Sequence, residues 1–373
     1  MLGDAFGQRL VTRRELGKDR DDRPPAAGND NPGLVHLLRR TLGYGSHGGR
    51  SEDSTSEAPV SVPETRADLA GRQMDPWCAS VLDAIGDTPL IRVDDIWVKL
   101  EFLNPSGSIK ARIAKYLIER AEAEGLLQKG DTIVEASSGN TGNAMAMVAA
   151  VKGYRMLVVM PDGLSQERAA ISRAYGARVM TLGDFQVTDA LAKVRELGEQ
   201  PGYFAPQQFD SEWNVEENRT WLGPEVLAQL PAGVVPDAVV GGVGTGGTIV
   251  GVGQAFRAVN PRCRVVAVEP NESCTLMCGE VGRHLIEGIA DGFVPGIIAR
   301  HRADIDALVA VESEQAILEM RRLAREFGLF VGPSSGAHLI AARELKQFDD
   351  SVEHVVTFFC DEGEKYLNDY FLS

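Results

Sequence analysis

The chain reads as an α/β protein built on mostly parallel sheets, and three observations lead there. Strand-like and helix-like runs alternate from about residue 77 onward. Two strand-to-helix turns, Ser137-Ser138-Gly139-Asn140-Thr141-Gly142 and Gly241-Gly242-Val243-Gly244-Thr245-Gly246-Gly247-Thr248, are rich in Gly, Ser and Thr. A third turn, Asn104-Pro105-Ser106-Gly107-Ser108-Ile109, delivers Lys110 to the mouth of a helix.

The elements follow from apolar period and from caps. Residues 96–100 form an apolar strand, and a helical pattern runs from Lys110 to about residue 125. Strand 132–135 leads into helix 143–151; strand 155–160, helix 165–175 capped by Ser165, and strand 177–182 come next. A helix near 215–230 is expected to break at Gly223-Pro224. Strand 237–240 and helix 249–259 flank the second glycine turn, and a buried strand covers 265–268. Helix 314–327 stops at Gly328, and strand 329–332, helix 335–345 and strand 354–359 close the pattern. No tandem repeat is present.

Residues 1–76 differ. Stretches 20–33 and 43–63 are rich in Asp, Arg, Gly, Ser and Pro, and such segments bury too little to offset ordering entropy. They read as a mostly disordered extension, with one short amphipathic helix at 34–42.

The chain has 373 residues, 44% apolar and 24% charged, enough for two lobes. A net charge of −15 argues against nucleic-acid binding, and no apolar run approaches a membrane span. No signal core or acid-poor transit peptide is visible, so cytoplasmic location is the expectation. Five cysteines imply no disulfide framework, and Cys274 and Cys278 lack the companions of a metal site. A redox pair at those two positions is a lesser alternative.

The chemistry begins with Lys110. An amine on rigid scaffold, withdrawn from water, attacks a carbonyl to form a Schiff base. The 137–142 turn aims amides and hydroxyls at one point, which suits a carboxylate. Loop 241–248 reads as a phosphate cradle, its glycines allowing close approach and Thr245 and Thr248 adding hydroxyls. Either loop alone equals an ordinary turn. The same glycines satisfy the dinucleotide pattern, with Glu269 ending the next strand, so an NAD-dependent oxidoreductase is an alternative that leaves Lys110 and Asn140 unexplained.

Gly86-Asp87-Thr88-Pro89-Leu90, Asn104 to Lys110, Ser137 to Gly142 and Gly244 to Thr248 together resemble the cysteine synthase and cystathionine β-synthase family, pyridoxal-phosphate enzymes of fold type II. The resemblance continues through Gln207-Gln208-Phe209, Gly288-Ile289, Ser334-Ser335-Gly336-Ala337 and Gly363-Glu364-Lys365-Tyr366, in unbroken order from residue 77. It implies two lobes with pyridoxal 5'-phosphate between them: a smaller lobe of about 104–210, and a larger one of 77–103 with 211–373. Lys110 would hold the cofactor, Asn140 would bond its 3-hydroxyl, and Gly244, Thr245, Gly246, Gly247 and Thr248 would hold its phosphate. Ser137, Ser138, Gly139, Thr141, Gln208 and Gly288 would bind the substrate, with no metal involved.

The implied reaction is β-replacement on an activated L-serine, nearest to O-acetylserine sulfhydrylase, with a small nucleophile as acceptor. A β-eliminase or deaminase, or a non-catalytic binding relative, is the alternative. Family members are commonly homodimers, and homodimer is the expectation here. Two departures bear on substrate. Relatives place Ser or Thr against the pyridine nitrogen where this chain has Cys360-Asp361-Glu362, so Glu362 is expected either to face that nitrogen or to point to solvent. Sulfhydrylases read Gly-Ile-Gly-Ala-Gly where this chain has Gly288-Ile289-Ala290-Asp291-Gly292, which places an acid near the entrance.

Overall fold

A computed structural model describes residues 9–12, 77–162, 166–183 and 187–372. The expected helix at 34–42, the rest of the extension outside 9–12 and the Ser165 cap lie outside the described residues.

Two sheets organise the molecule. The larger has the order β1-β10-β9-β8-β11-β3-β2, made of β1 (Arg9–Thr12), β2 (Leu90–Val93), β3 (Ile96–Leu100), β8 (Ala238–Gly242), β9 (Arg264–Pro270), β10 (Ala307–Val311) and β11 (Val355–Phe359). Its centre is parallel, while β2 and β1 pair antiparallel at the two edges. The smaller sheet is all parallel, in the order β6-β5-β4-β7: β4 (Thr132–Ala136), β5 (Arg155–Met160), β6 (Arg178–Thr181) and β7 (Tyr203–Phe204). β10 and β11 are buried along their whole length, as strands covered on both faces must be, which accounts for their continuous apolar runs.

The helices are α1 (Lys110–Ala123), α2 (Asn140–Lys152), α3 (Gln166–Ala174), α4 (Thr188–Gly198), α5 (Glu212–Glu217), α6 (Gly223–Gln229), α7 (Gly247–Val259), α8 (Gly296–His301), α9 (Ser313–Phe327), α10 (Pro333–Phe348) and α11 (Leu367–Tyr370). Ala, Met and Val of α1 and α2 pack with Ile133, Val158 and Met160 into one core. Val250, Val252 and Phe256 of α7 pack against Val239, Val265 and Phe358 of the larger sheet. Gly328 ends α9 in the left-handed conformation, as its position predicts.

Three expectations change. The break at Gly223-Pro224 is a π segment, Asn218–Leu222, rather than a gap: Pro224 sits in the first turn of α6, where its missing N–H costs nothing. The strand at 329–332 reduces to one bridge, Val331 to Glu362, because only four residues separate the Gly328 cap from Pro333 at the start of α10. Arg9–Thr12, inside the expected extension, forms a strand on the edge of β10.

The site-building turns follow β4 and β8, at the C-terminal ends of parallel strands. Open α/β sheets gather their ligands there. Among the described residues no helix is long and apolar enough to cross a membrane.

Candidate active site

Lys110 is the first residue of α1, and the turn before it is fixed from three sides. Ser106 and Gly107 take φ of 70° and 66°, and Gly107 N–H closes on the Asn104 carbonyl at 2.9 Å. Asn104 donates to Glu101 Oε2 at 2.8 Å and accepts from Gly86 N–H at 2.9 Å. Ile109 N–H reaches the Cys360 carbonyl at 2.8 Å, tying the turn to the end of β11.

Beneath it lies a buried ionic cluster. Arg112 grips Glu101 with Nε at 2.7 Å and Nη2 at 2.9 Å, and it also donates to both oxygens of Glu225. Lys99 pairs with the same Glu225. Arg112, Lys99 and Glu101 are fully buried, so the charges persist because each is matched. The amine therefore stands on a floor that resists displacement.

Lys110 opens into a cleft of roughly 920 Å³, counting the part open to solvent. Ser137, Ser138, Gly139, Asn140, Thr141, Gln208, Gly244, Thr245, Gly246, Thr248 and Gly288 share this cleft with it. Ser137 Oγ accepts the amides of Gly139 at 3.0 Å and Gly142 at 2.9 Å, which curls the turn. Thr141 donates to Gln208 Oε1 at 2.7 Å, while Gln208 donates to the Ala136 carbonyl at 2.9 Å. Glu135 braces that strand end, accepting from Gln208 N–H at 3.0 Å and Ala136 N–H at 2.9 Å. Burial pushes its carboxyl up to about 7.

Loop 244–248 caps the N-terminus of the 13-residue α7, whose first-turn amides have no partner within the helix. Its glycines are required. A Cβ at Gly244 would stand 2.5 Å from the Gly288 carbonyl oxygen, and Gly246 has φ of 88°. Gly247 does not line the cleft; its α-carbon abuts Asn214 and its amide donates to Thr245 Oγ1 at 3.3 Å.

Glu362 does not line the cleft either, whereas its neighbour Asp361 does, as do Glu287 and Asp291. The extended chain after β11 pairs Asp361 with Ser108 and Glu362 with Val331, so consecutive side chains point to opposite sides. Glu362 packs over Gly107, with its carboxylate 3.6 Å from Lys365 Nζ. Asp361 Oδ2 accepts from Asn140 Nδ2 at 2.7 Å and from the Tyr366 hydroxyl at 2.5 Å. Lys365 donates to Asn140 Oδ1 and to the carbonyls of Ser106 and Gly107, each at 2.9 Å. Asn140 is thus engaged at both ends of its amide by the segment after β11.

Arg168 and His338 also line the cleft with no local pattern to mark them, and Tyr366 joins them from the Gly363–Tyr366 segment. Arg168 pairs with Glu287 and lies 5.4 Å from the centre of the Tyr366 ring. Burial disfavours its charge, yet Tyr366, Glu287 and Asp361 more than restore it. His338 accepts Gly242 N–H on Nε2 at 2.7 Å and donates from Nδ1 to the Phe358 carbonyl at 2.9 Å. Burial holds it neutral, its pKa lowered to about 4. Glu269 is spent on the amides of Leu276 and Met277 at 2.8 and 2.9 Å, which removes the acid a dinucleotide ribose would need.

The donor set fits pyridoxal phosphate. An amine stands at the cleft, a glycine cradle that no Cβ could enter faces a helix N-terminus, and Asp361 Oδ1 is buried without a partner among the described residues.

Comparison with known proteins agrees. The model of the family described as pyridoxal-phosphate dependent enzyme matches residues 81–361. A cysteine synthase of Staphylococcus aureus is 42% identical over 298 residues, covering 78% of this chain and 95% of that one. The O-ureido-L-serine synthase of Streptomyces lavendulae is 41% identical over 299 residues, covering 78% and 91%. The crystal structure of an O-acetylserine dependent cystathionine β-synthase from Helicobacter pylori superimposes with a TM-score of 0.74 at 34% identity, over 79% of this chain and 99% of that one. With the cleft, the sheets and these matches in agreement, the chain belongs to the pyridoxal-phosphate dependent enzymes of the cysteine synthase family.

Proposed function

We propose that this enzyme replaces the β-substituent of an activated L-serine, O-acetylserine-like or O-phosphoserine-like, to give L-cysteine or a related β-substituted alanine. The observation that carries the reading is the convergence on one cleft of Lys110, the hydroxyl-lined 137–141 turn with Gln208, and the glycine cradle before α7. The names of the relatives point the same way, since cysteine synthase and O-ureido-L-serine synthase both produce β-substituted alanines.

Lys110 would hold the cofactor, and loop 244–248 would hold its phosphate. When bound, pyridoxal phosphate supplies the sink for negative charge leaving the substrate's α-carbon. The rest is the protein's work. The amides and hydroxyls of Ser138, Asn140 and Thr141 seat the substrate carboxylate, with Gln208 holding Thr141 in place. Lys110 Nζ would take the α-proton and return it to the same carbon. Arg168, Tyr366 and Glu287 line the cleft beside these groups.

The lobes assigned are 77–103 with 211–372, and 104–210, which respects the separation of the two sheets. A homodimer and a cytoplasmic location follow by analogy with the family.

Mixing holoenzyme with O-acetylserine and hydrosulfide tests the reading. Cysteine and acetate should appear together, and Lys110→Ala should abolish both along with the borohydride-fixed cofactor label. Pyruvate without cysteine would favour elimination. Acetate release that survives in Lys110→Ala would refute the mechanism.

A further inference from the structure

A second cavity adjoins the first, with an empty volume of roughly 1470 Å³ counting its open mouth. Ser138, Arg168, Glu287, Gly288, Ile289 and Asp291 line both, so they form the wall where the two meet. Asp291 stands out in that wall. Arg168 and Glu287 neutralise each other, whereas Asp291 makes no hydrogen bond or ion pair among the described residues.

The backbone holds Asp291 in place at some expense. Ala290 takes φ of 54°, a left-handed conformation that costs a side-chain-bearing residue about 1 kcal/mol or more. It is pinned there by its N–H to the Val243 carbonyl at 2.9 Å and by His284 Nε2 donating to its carbonyl at 3.1 Å. A strained turn fixed from two sides aims the next side chain.

We propose that Asp291 is the proton acceptor for the second substrate, and that the adjoining cavity seats an organic acceptor presenting a neutral N–H, O–H or S–H. This rests on the β-replacement reading above. The acceptor's heteroatom bonds to the β-carbon vacated by the leaving anion, and its proton passes to an Asp291 oxygen and then to solvent. The α-proton goes to Lys110 Nζ and back to the same carbon, so the sum is donor plus acceptor giving product plus the leaving acid, without oxidation or reduction.

Burial raises the Asp291 carboxyl above its ordinary value, opposed by Lys110 and His284, which makes it a stronger base than a surface aspartate. Asp162 and Arg283 line the outer cavity, and the Arg168–Glu287 pair stands beside it.

The test uses holoenzyme, O-acetylserine and two acceptors, pyrazole with its neutral N–H and hydrosulfide at a pH where it is ionised. Acetate release on first mixing, before acceptor is added, reports the donor half alone. In Asp291→Asn the ratio of pyrazole to hydrosulfide turnover should fall by about 100-fold or more, the scale of a lost general base. The rise of pyrazole turnover with pH should flatten, and Asp291→Glu should recover part of it. An unchanged ratio, or a wild type that accepts hydrosulfide but not pyrazole, overturns the proposal. Absence of acetate release from wild type with any activated serine would instead sink the β-replacement reading on which it stands.

Discussion

Protonation of His338 should unfasten the start of the phosphate loop, and the effect has a calculable size. The imidazole joins three elements, accepting from Gly242 at the end of β8 and donating to Phe358 in β11 from its place on α10. Only the neutral Nδ1–H tautomer does both. Burial lowers the pKa from 6.5 to about 4, and a gap of that width corresponds to ~3 kcal/mol. The sign is definite. Between pH 6.5 and about 4 the unfolded chain takes up a proton that the folded one refuses, so stability is full above 6.5 and falls as pH drops through the window. His338→Leu leaves the Gly242 N–H and the Phe358 carbonyl without partners, at ~1–3 kcal/mol each. His338→Gln can keep an acceptor and a donor but does not titrate. Urea unfolding of wild type and both variants from pH 7 to pH 4 measures this. Wild type minus Gln should lose ~3 kcal/mol across the range, and Leu should be weaker than Gln at pH 7. A difference that stays flat with pH would refute the assignment of a buried neutral imidazole.

Arg112→Met should destabilise by about 3–5 kcal/mol, because it leaves Glu101 and Glu225 buried with less countercharge; urea midpoints check it. Gly246→Ala meets a φ of 88° and a Cβ 2.5 Å from Ile298 Cδ1, so pyridoxal-phosphate affinity should fall by about 10-fold or more in a fluorescence titration. Asp361→Asn should alter the absorption spectrum of the bound cofactor whereas Glu362→Gln should not, since only Asp361 borders the cleft; the reverse result would restore Glu362 to the site.

The architecture was legible because its signals are local. Lys110, the 137–142 turn and the glycine loop carry their chemistry within a few residues of a strand end, where glycine and hydroxyl side chains have few other uses. Asp361 and Glu362 show where legibility stops. Which of two neighbouring acids faces inward depends on pairing with Ser108 and Val331, far away in sequence. Arg168 and His338 sit on helices whose periodicity explains them equally well as packing residues. Their importance comes from Glu287, Tyr366 and Gly242, which only the folded chain brings near. The π segment was missed for a related reason: Gly223 is there to let the backbone approach Ala255, a need no single stretch displays.

The lock of Lys365 onto Ser106 and Gly107 joins positions 259 and 258 residues apart. A ribosome that has released the lysine-bearing helix and both loops has therefore not yet released the piece that closes them together. Contacts of such long separation form late and slowly. A nascent chain halted near residue 350 carries Lys110 and both loops but lacks Lys365, so competence to capture the vitamin should arrive abruptly once residue 365 has been made and released.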